Sequence, residues 1–492
     1  MANIATQISI SGTALSQDNT LKREVLFDFL LMTGMFLGSF ASVYLIGGVF
    51  NYIYFLIPLL LFWRTEKKDY FWFAYFFVIM TQPAFFFAQK DANAICRVPL
   101  YKLGPLGSFV SEDLFMIIAT VKAFLKGKER KLKINNPLVY IGIYFMLVSI
   151  PMTLFFGVED FHAILNSMRS VIYYFLLFAF VRLMKDEEDL IKFGYIISPY
   201  IFLIIFNQFY VLNFGKQFID NYDPQGWSVL SNSVTGAVRA DMGFQFGIIL
   251  ILYVMIFSLQ IKGFKKYELF NGFSDILTAA VILSIFISAT RMFTVVSILM
   301  VAVYTLLSEK KQIGRLLKIA GAGAVLFFLL QYADVLKDDA IKNAMSRFNV
   351  VFQAVEEDDV YQTDTFQARL EDDYPRVFDE ISKSPFLGVG LSTEFYDAYS
   401  NDIGWPNTVM LLGIVGAGMF FFYYAKVVFF YLSYRKNLKN DELKRNIACA
   451  FAAGLAGLFL GYMTTYDFFG FYPHKIFFIS VLFGTTDILR QS

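Results

Sequence analysis

Apolar residues run along this chain in blocks of about 20, the length at which a helix crosses a bilayer core. The blocks fall at 25–44, 48–63, 70–88, 108–125, 137–157, 163–183, 190–212, 241–261, 273–289, 292–307, 315–332, 405–432, 446–466 and 471–488. The first two are short and divided only by Gly47-Gly48. The pattern predicts an all-α polytopic membrane protein of about 14 (12–14) transmembrane helices. Four regions follow: a polar tail 1–24, helices 1–11 over 25–332, a large polar loop 333–404, and helices 12–14 over 405–492. The tail reads as retained, because the apolar stretch after Lys22 and Arg23 runs on without a small-residue cleavage site.

Composition supports this. Of 492 residues, 57% are hydrophobic and only 17% charged, against roughly a quarter charged in soluble domains. Cys96 and Cys449 have no metal-ligand spacing and fall on opposite sides of the predicted topology, which argues against a disulfide or a zinc site. No Walker motif, GxGxxG, HExxH or GxSxG occurs, so a nucleotide-driven pump is excluded.

Orientation follows from Lys and Arg in the short loops. Basic clusters stand at 64/67/68, 126–133, 182/185, 262–266, 310–315 and 435–445. The predicted spans put all six on one side, with both termini, and that side reads as cytoplasmic. The opposite side carries the loop 213–239 and the loop 333–404, which holds sixteen acidic and six basic residues. Within the latter, 365–383 reads as an amphipathic helix with Phe366, Leu370, Val377, Phe378 and Ile381 apolar, kinked or broken at Pro375. Pro385 and the glycines of PFLGVGL mark a turn back toward the membrane.

Ionisable residues in or beside spans are costly and mark function by default. Arg169, Arg239 (which opens the next helix), Arg291 (in SATRM, at the tight hairpin between two spans) and Arg369 all map to the outer face in this topology. Convergent guanidinium groups suit a phosphate-bearing ligand, since Arg binds phosphate oxygens in a bidentate fork and keeps its charge. Snorkelling to lipid headgroups for Arg169 and Arg239, and a surface ion pair for Arg369, are the alternatives; Arg291 is harder to dismiss, because the SATR hairpin leaves no room for a long solvent loop. His162 and His474 make no metal motif, and the acidic run 356–359 lacks the spacing of a calcium loop.

Four segments resemble the O-antigen polymerase and O-antigen ligase superfamily, membrane glycosyltransferases that use polyprenyl-pyrophosphate-linked glycans. They are SATRM (288–292), ARLEDDYPRVFDEISKSPFLGVGL (368–391), SNDIGWPNTVMLLGIVGAGMFFF (400–422) and NSMRSVIYYFLLFAF (166–180). The likeness covers mainly residues 160 to 430, and the first 130 residues join it only through hydropathy. Ligases of this superfamily place a histidine at the end of the large loop. Here Asp402-Ile403-Gly404-Trp405-Pro406-Asn407 has none, which points to the polymerase-like branch and leaves the general base open.

The resemblance implies a bacterial inner-membrane enzyme of O-antigen or exopolysaccharide synthesis that handles a lipid-linked glycan donor and a glycan acceptor on the outer face. Catalytic roles fall to Arg239, Arg291, Arg369 and Asp402, and substrate binding to Arg169, Trp405, Asn407 and His474. No cofactor or metal and no nucleic acid is implied. Membrane lipids are partners, along with chain-length regulators or other polysaccharide assembly proteins. Asp402 reads equally as an N-terminal helix cap. Transfer to a lipid or protein acceptor, or transport of lipid-linked sugars, are the competing readings. Transport fits less well, because alternating access needs polar groups near the midplane.

The topology is testable with single cysteines at Lys131 and Glu357 in a chain lacking Cys96 and Cys449. An impermeant thiol reagent added to intact cells or spheroplasts should modify Glu357→Cys and spare Lys131→Cys; the opposite pattern inverts the orientation.

Overall fold

A computed structural model describes residues 23–81, 101–102, 108–158, 173–214, 229–231, 238–240, 249, 253–254, 256–257, 272–288, 291–308, 314, 321, 369–400, 403–437, 441–463 and 473–491. Helices follow the apolar blocks. They are α1 (Arg23–Ala41), α2 (Gly48–Arg64), α3 (Asp69–Thr81), α4 (Ser111–Lys126), α5 (Asn136–Phe156), α6 (Phe175–Leu183), α7 (Glu187–Ile197) and α8 (Tyr200–Phe214). Then come α9 (Phe273–Ser288), α10 (Arg291–Ser308), α11 (Tyr374–Lys383), α12 (Thr393–Ala398), α13 (Gly404–Asn437), α14 (Glu442–Gly461) and α15 (Pro473–Gln491). Much of the predicted spans 163–183, 241–261 and 315–332 lies outside the described residues.

By length and composition, α1, α5, Glu187–Val211 and α13 can each cross a membrane, and shorter apolar helices accompany them. Their outward faces carry exposed Leu60, Leu147 and Phe155, side chains that belong in lipid. The protein is a predominantly helical membrane protein. The all-α expectation needs one amendment. Two short antiparallel ribbons occur, β1 (Tyr101–Lys102) with β2 (Ser108–Phe109) and β3 (Val229–Ser231) with β4 (Val238–Ala240). Segments this short carry no hydropathy signal.

The interior is aromatic. From Tyr70 to Met80 every residue of α3 is buried, so this helix is surrounded by protein on all sides. Phe73 makes edge-on contacts with Phe115 of α4, Phe180 of α6 and Phe477 of α15 at 5.4, 5.5 and 5.8 Å. Elsewhere α10 lies along the alanine-rich α14, where small side chains allow close backbone approach. There Tyr304 donates to Asn446 at 2.7 Å and stacks on Phe257 at 4.2 Å.

Among the described residues, the basic loops at 64–68, 126–133 and 182–185 meet at one end of the bundle. Buried Asp28 of α1 pairs with Lys68 at 2.5 Å and accepts from the Tyr70 hydroxyl at 2.6 Å. Lys122 of α4 is buried against Asp69 and the carbonyls of Phe62 and Thr65. Arg130 donates to the carbonyls of Val181, Met184 and Lys185. Lys192 reaches Glu24 at 3.4 Å, and Lys444 reaches Glu187 at 3.7 Å. Buried charges persist only when paired or hydrogen-bonded, and each of these is.

At the same end α15 clasps the α4–α5 loop. The buried Asp487 carboxylate accepts from the backbone N–H groups of Lys133 (3.0 Å), Ile134 (2.8 Å) and Asn135 (3.1 Å), and from the Asn135 side-chain amide (2.8 Å). Asn135 in turn accepts from the Tyr423 hydroxyl of α13. Asp487→Asn replaces one acceptor oxygen by an NH₂ facing N–H donors. Leaving such a donor unsatisfied costs about 1–3 kcal/mol. The purified variant should melt at a lower temperature in detergent, and an unchanged melting temperature would show the clasp to be dispensable.

Candidate functional site at the junction of the cap and the membrane helices

Away from the basic end, the chain from Arg369 to Ile403 forms a small cap. Helical conformation begins with a π turn, Arg369–Asp373, and passes into α11 at Tyr374. Pro375 stands where the π turn changes to α-helix, an irregularity of the kind expected where a proline interrupts a helical run. Val377 is the buried anchor of α11, which packs against α13 and α12.

Gly413 governs α13. Its φ of 66° and ψ of 176° break the helix nine residues after its start. Trp405 and Phe421 would stand roughly 24 Å apart along a straight helix. Instead their rings stack with centroids 4.1 Å apart, so the chain turns sharply at Gly413. The run 414–437 alone is long enough to cross a membrane. Residues 404–412 form a separate short helix folded against it, and the predicted span 405–432 must be redrawn accordingly. Hydropathy misses the turn because both halves are apolar.

The broken backbone is repaired by the segment PFLGVGL. Ile414 and Val415 donate their N–H groups to the carbonyls of Pro385 (2.8 Å) and Phe386 (3.2 Å). In return the carbonyls of Met410 and Leu411 accept from Val389 (2.8 Å) and Gly390 (3.2 Å), and Leu412 accepts from the Tyr144 hydroxyl (2.8 Å). Backbones this close leave no room for side chains. A Cβ on Gly388 or Gly413 would overlap the opposing main chain, and one on Gly390 would overlap Ser149 and Thr153 of α5; all three residues have positive φ. Leu391 N–H donates to Thr153 Oγ1 at 2.8 Å, and Thr393 N–H to the Gly157 carbonyl at 3.2 Å, tying the cap to α5 as well.

At the start of α13, buried Asn407 donates its amide hydrogens to the carbonyls of Ser400 and Ile403. Thr408 bonds the Tyr462 hydroxyl. Trp405 sits among Phe421, Phe459 and Tyr462. These contacts hold the chain on both sides of Asp402, which itself lies outside the described residues, as does Arg169. Asn407 and Trp405, expected to bind substrate, are thus engaged in bracing the helix start.

The remaining predicted residues are placed by their backbones. Arg239 was expected to open a helix; it lies instead in β4 opposite Leu230, and β4 packs against α8 and α9. Arg291 is the first residue of α10, and α9 ends at Ser288; the expected hairpin turn at 289–290 lies outside the described residues. His474 lies in the first turn of α15. On the cap, Lys383 is held between Glu380 (2.8 Å) and Glu394. Both carboxylates raise the lysine pKa. The Lys383 hydrogen bond lowers that of Glu394, which makes Glu394 a weaker base than a free carboxylate. Buried Glu112 and Asp113, at the end of α4 away from Lys122, escaped the sequence reading. Asp113 caps the helix at the Val110 N–H (2.8 Å) and accepts from the Tyr173 hydroxyl (2.7 Å). The signal was the SED run that opens the helix.

Residues 276–412 match the family model of the O-antigen ligase. The resemblance to the O-antigen polymerase and ligase superfamily read from the sequence holds over this stretch. No curated protein matches the chain. The O-antigen ligase match begins in α9, takes in α10 and the cap, and ends one residue before Gly413. Arg291, Arg369, Asp402, Trp405 and Asn407 fall inside it; Arg169, Arg239 and His474 do not.

The two-sided backbone lock predicts that Gly413→Ala opens the junction. Protease sensitivity of the 384–392 turn should rise and the melting temperature fall. Gly418→Ala, whose Cβ meets nothing within 4 Å, is the matched control and should be neutral. Equal behaviour of the two variants would remove the lock.

Proposed function

We propose that this protein is a membrane glycosyltransferase that polymerises polyprenyl-pyrophosphate-linked oligosaccharide units on the outer face of the bacterial inner membrane, for O-antigen or exopolysaccharide synthesis. The observation that carries the reading is the O-antigen ligase match over 276–412, which contains Arg291, Arg369 and the cap joined to α13. In this reading the basic end of the bundle and both termini are cytoplasmic, the chain has about 14 spans, and 333–404 lies outside.

The acceptor hydroxyl oxygen attacks the anomeric carbon of the donor, the bond from that carbon to the pyrophosphate oxygen breaks, and the hydroxyl proton passes to a base. Arg239, Arg291 and Arg369 stabilise the charge that grows on the leaving pyrophosphate, with Arg169 in support. Stabilisation that strengthens toward the transition state speeds the reaction, and fixed guanidinium groups need no metal to provide it. Asp402 is the proposed base; it falls between Ser400 and Ile403, whose carbonyls accept from Asn407. Trp405 and His474 complete the substrate surface.

Neither histidine of the chain, His162 or His474, falls in the loop 333–404, which favours polymerisation over ligase-type transfer. Deletion of the gene followed by gel analysis of surface glycans separates the two: single repeat units on the acceptor mark a lost polymerase, a bare acceptor a lost ligase. Point variants test the chemistry. Arg291→Lys and Arg369→Lys keep charge but lose the planar fork, and should abolish most polymer while the protein still accumulates. Asp402→Asn, nearly as good a helix cap, should slow transfer about a hundred- to ten-thousand-fold if Asp402 is the base. Normal polymer from both lysine variants would overturn the arginine clamp, and normal polymer from Asp402→Asn would overturn that base.

A further inference from the structure

Among the described residues, nothing covers an apolar edge of the cap. Phe378 of α11 is 55% exposed and Phe386 of the following turn 66%, with Leu370 and Leu387 exposed beside them. Val377 faces inward and is fully buried, so α11 uses one margin of its apolar stripe for packing and leaves the other open. Arg376, Asp379 and Lys383 occupy the opposite, polar side of the helix.

This edge is continuous with a surface that must face lipid. The hydrogen bonds from Ile414 and Val415 to the carbonyls of Pro385 and Phe386 set the turn directly against the start of the run 414–437. Ile414 and Val415 are themselves exposed, and the exposure continues down that helix through Gly418, Phe422 (72%) and Phe429. Steps of three, four and seven residues keep these positions on one face. A spanning helix with such a face meets acyl chains along its length, and the turn that carries exposed Phe386 and Leu387 is bonded to its start.

We propose that the cap is an interfacial anchor: α11 and the turn after it lie on the bilayer surface, with Phe378, Phe386 and Leu387 inserted among the acyl chains of the adjacent leaflet. An amphipathic helix in this setting buries its apolar face about 5–10 Å into the headgroup–acyl boundary, with its basic side chains at headgroup level. Arg376 and Lys383 suit that level. The occupant is ordinary membrane lipid, because the patch continues the lipid-facing stripe of α13 rather than forming a separate pocket. This inference needs only the fold and stands whether or not the proposed chemistry does.

An environment-sensitive fluorophore on single cysteines tests it, in a chain carrying Cys96→Ser and Cys449→Ala. The variants are Phe378→Cys, Phe386→Cys, Asp379→Cys on the polar side, and Phe422→Cys as the lipid reference. The protein is reconstituted in nanodiscs of phosphatidylcholine and phosphatidylglycerol, with and without phosphatidylcholine carrying a nitroxide near the head of its acyl chain. Labels at 378 and 386 should be blue-shifted and lose most of their fluorescence to the nitroxide lipid, as at 422, while the label at 379 stays open to aqueous iodide. Labels at 378 and 386 that are quenched by iodide as at 379 would overturn the proposal. So would labels there that resist both quenchers, since protein would then cover the edge.

Discussion

A backbone that stops being helical in an apolar environment exposes N–H and C=O groups that lipid cannot satisfy, each at a cost of several kcal/mol. Gly413 creates that situation, and the cap resolves it. The carbonyls left by residues 410–412 and the N–H groups left by 414 and 415 find partners in the PFLGVGL segment and in Tyr144. Because the repair is main chain to main chain, its geometry is set by peptide planes rather than by side-chain rotamers. Everything built on the cap, from the π turn carrying Arg369 to the chain that enters α13, inherits its position from this contact.

The two ends of the bundle are held by different physics. At the basic end, side chains bridge loops: Asp487 gathers backbone donors, Arg130 gathers carbonyls, and Lys122 is buried against Asp69. Such contacts are strong only where water is excluded, and the side chains involved are mostly buried. At the cap end the bonds are backbone pairs fitted between glycines and α5. A rigid frame at both ends suits an enzyme whose proposed charge-stabilising groups must already be in place when the leaving group departs.

Hydropathy made the helices legible because lipid imposes a length and an apolar composition that leave few alternatives. It could not show the turn within α13, since a reversal between two apolar halves leaves the average unchanged; the lone sign was a glycine inside a helical pattern. The brief β3–β4 pairing was equally silent, so Arg239 read as a helix start. Buried carboxylates such as Asp487 and Glu112 sit near helix ends, where a sequence gives no reason to separate them from solvated ones. The candidate site was legible as motifs, SATR and GVGL, whose shapes a sequence does not contain. The glycines of GVGL proved to be places where two backbones touch, a requirement invisible until the second strand of the contact, 410–415, is known.

The order in which the chain is made bears on the Gly413 junction. PFLGVGL precedes α13 in sequence, so it is synthesised before the helix that needs it. When 414–437 forms, the groups that complete its broken end are already present, within 30 residues upstream. Formation of this helix and closure of the cap can therefore proceed as one local event, so that the break at Gly413 need never be left unpaired in lipid.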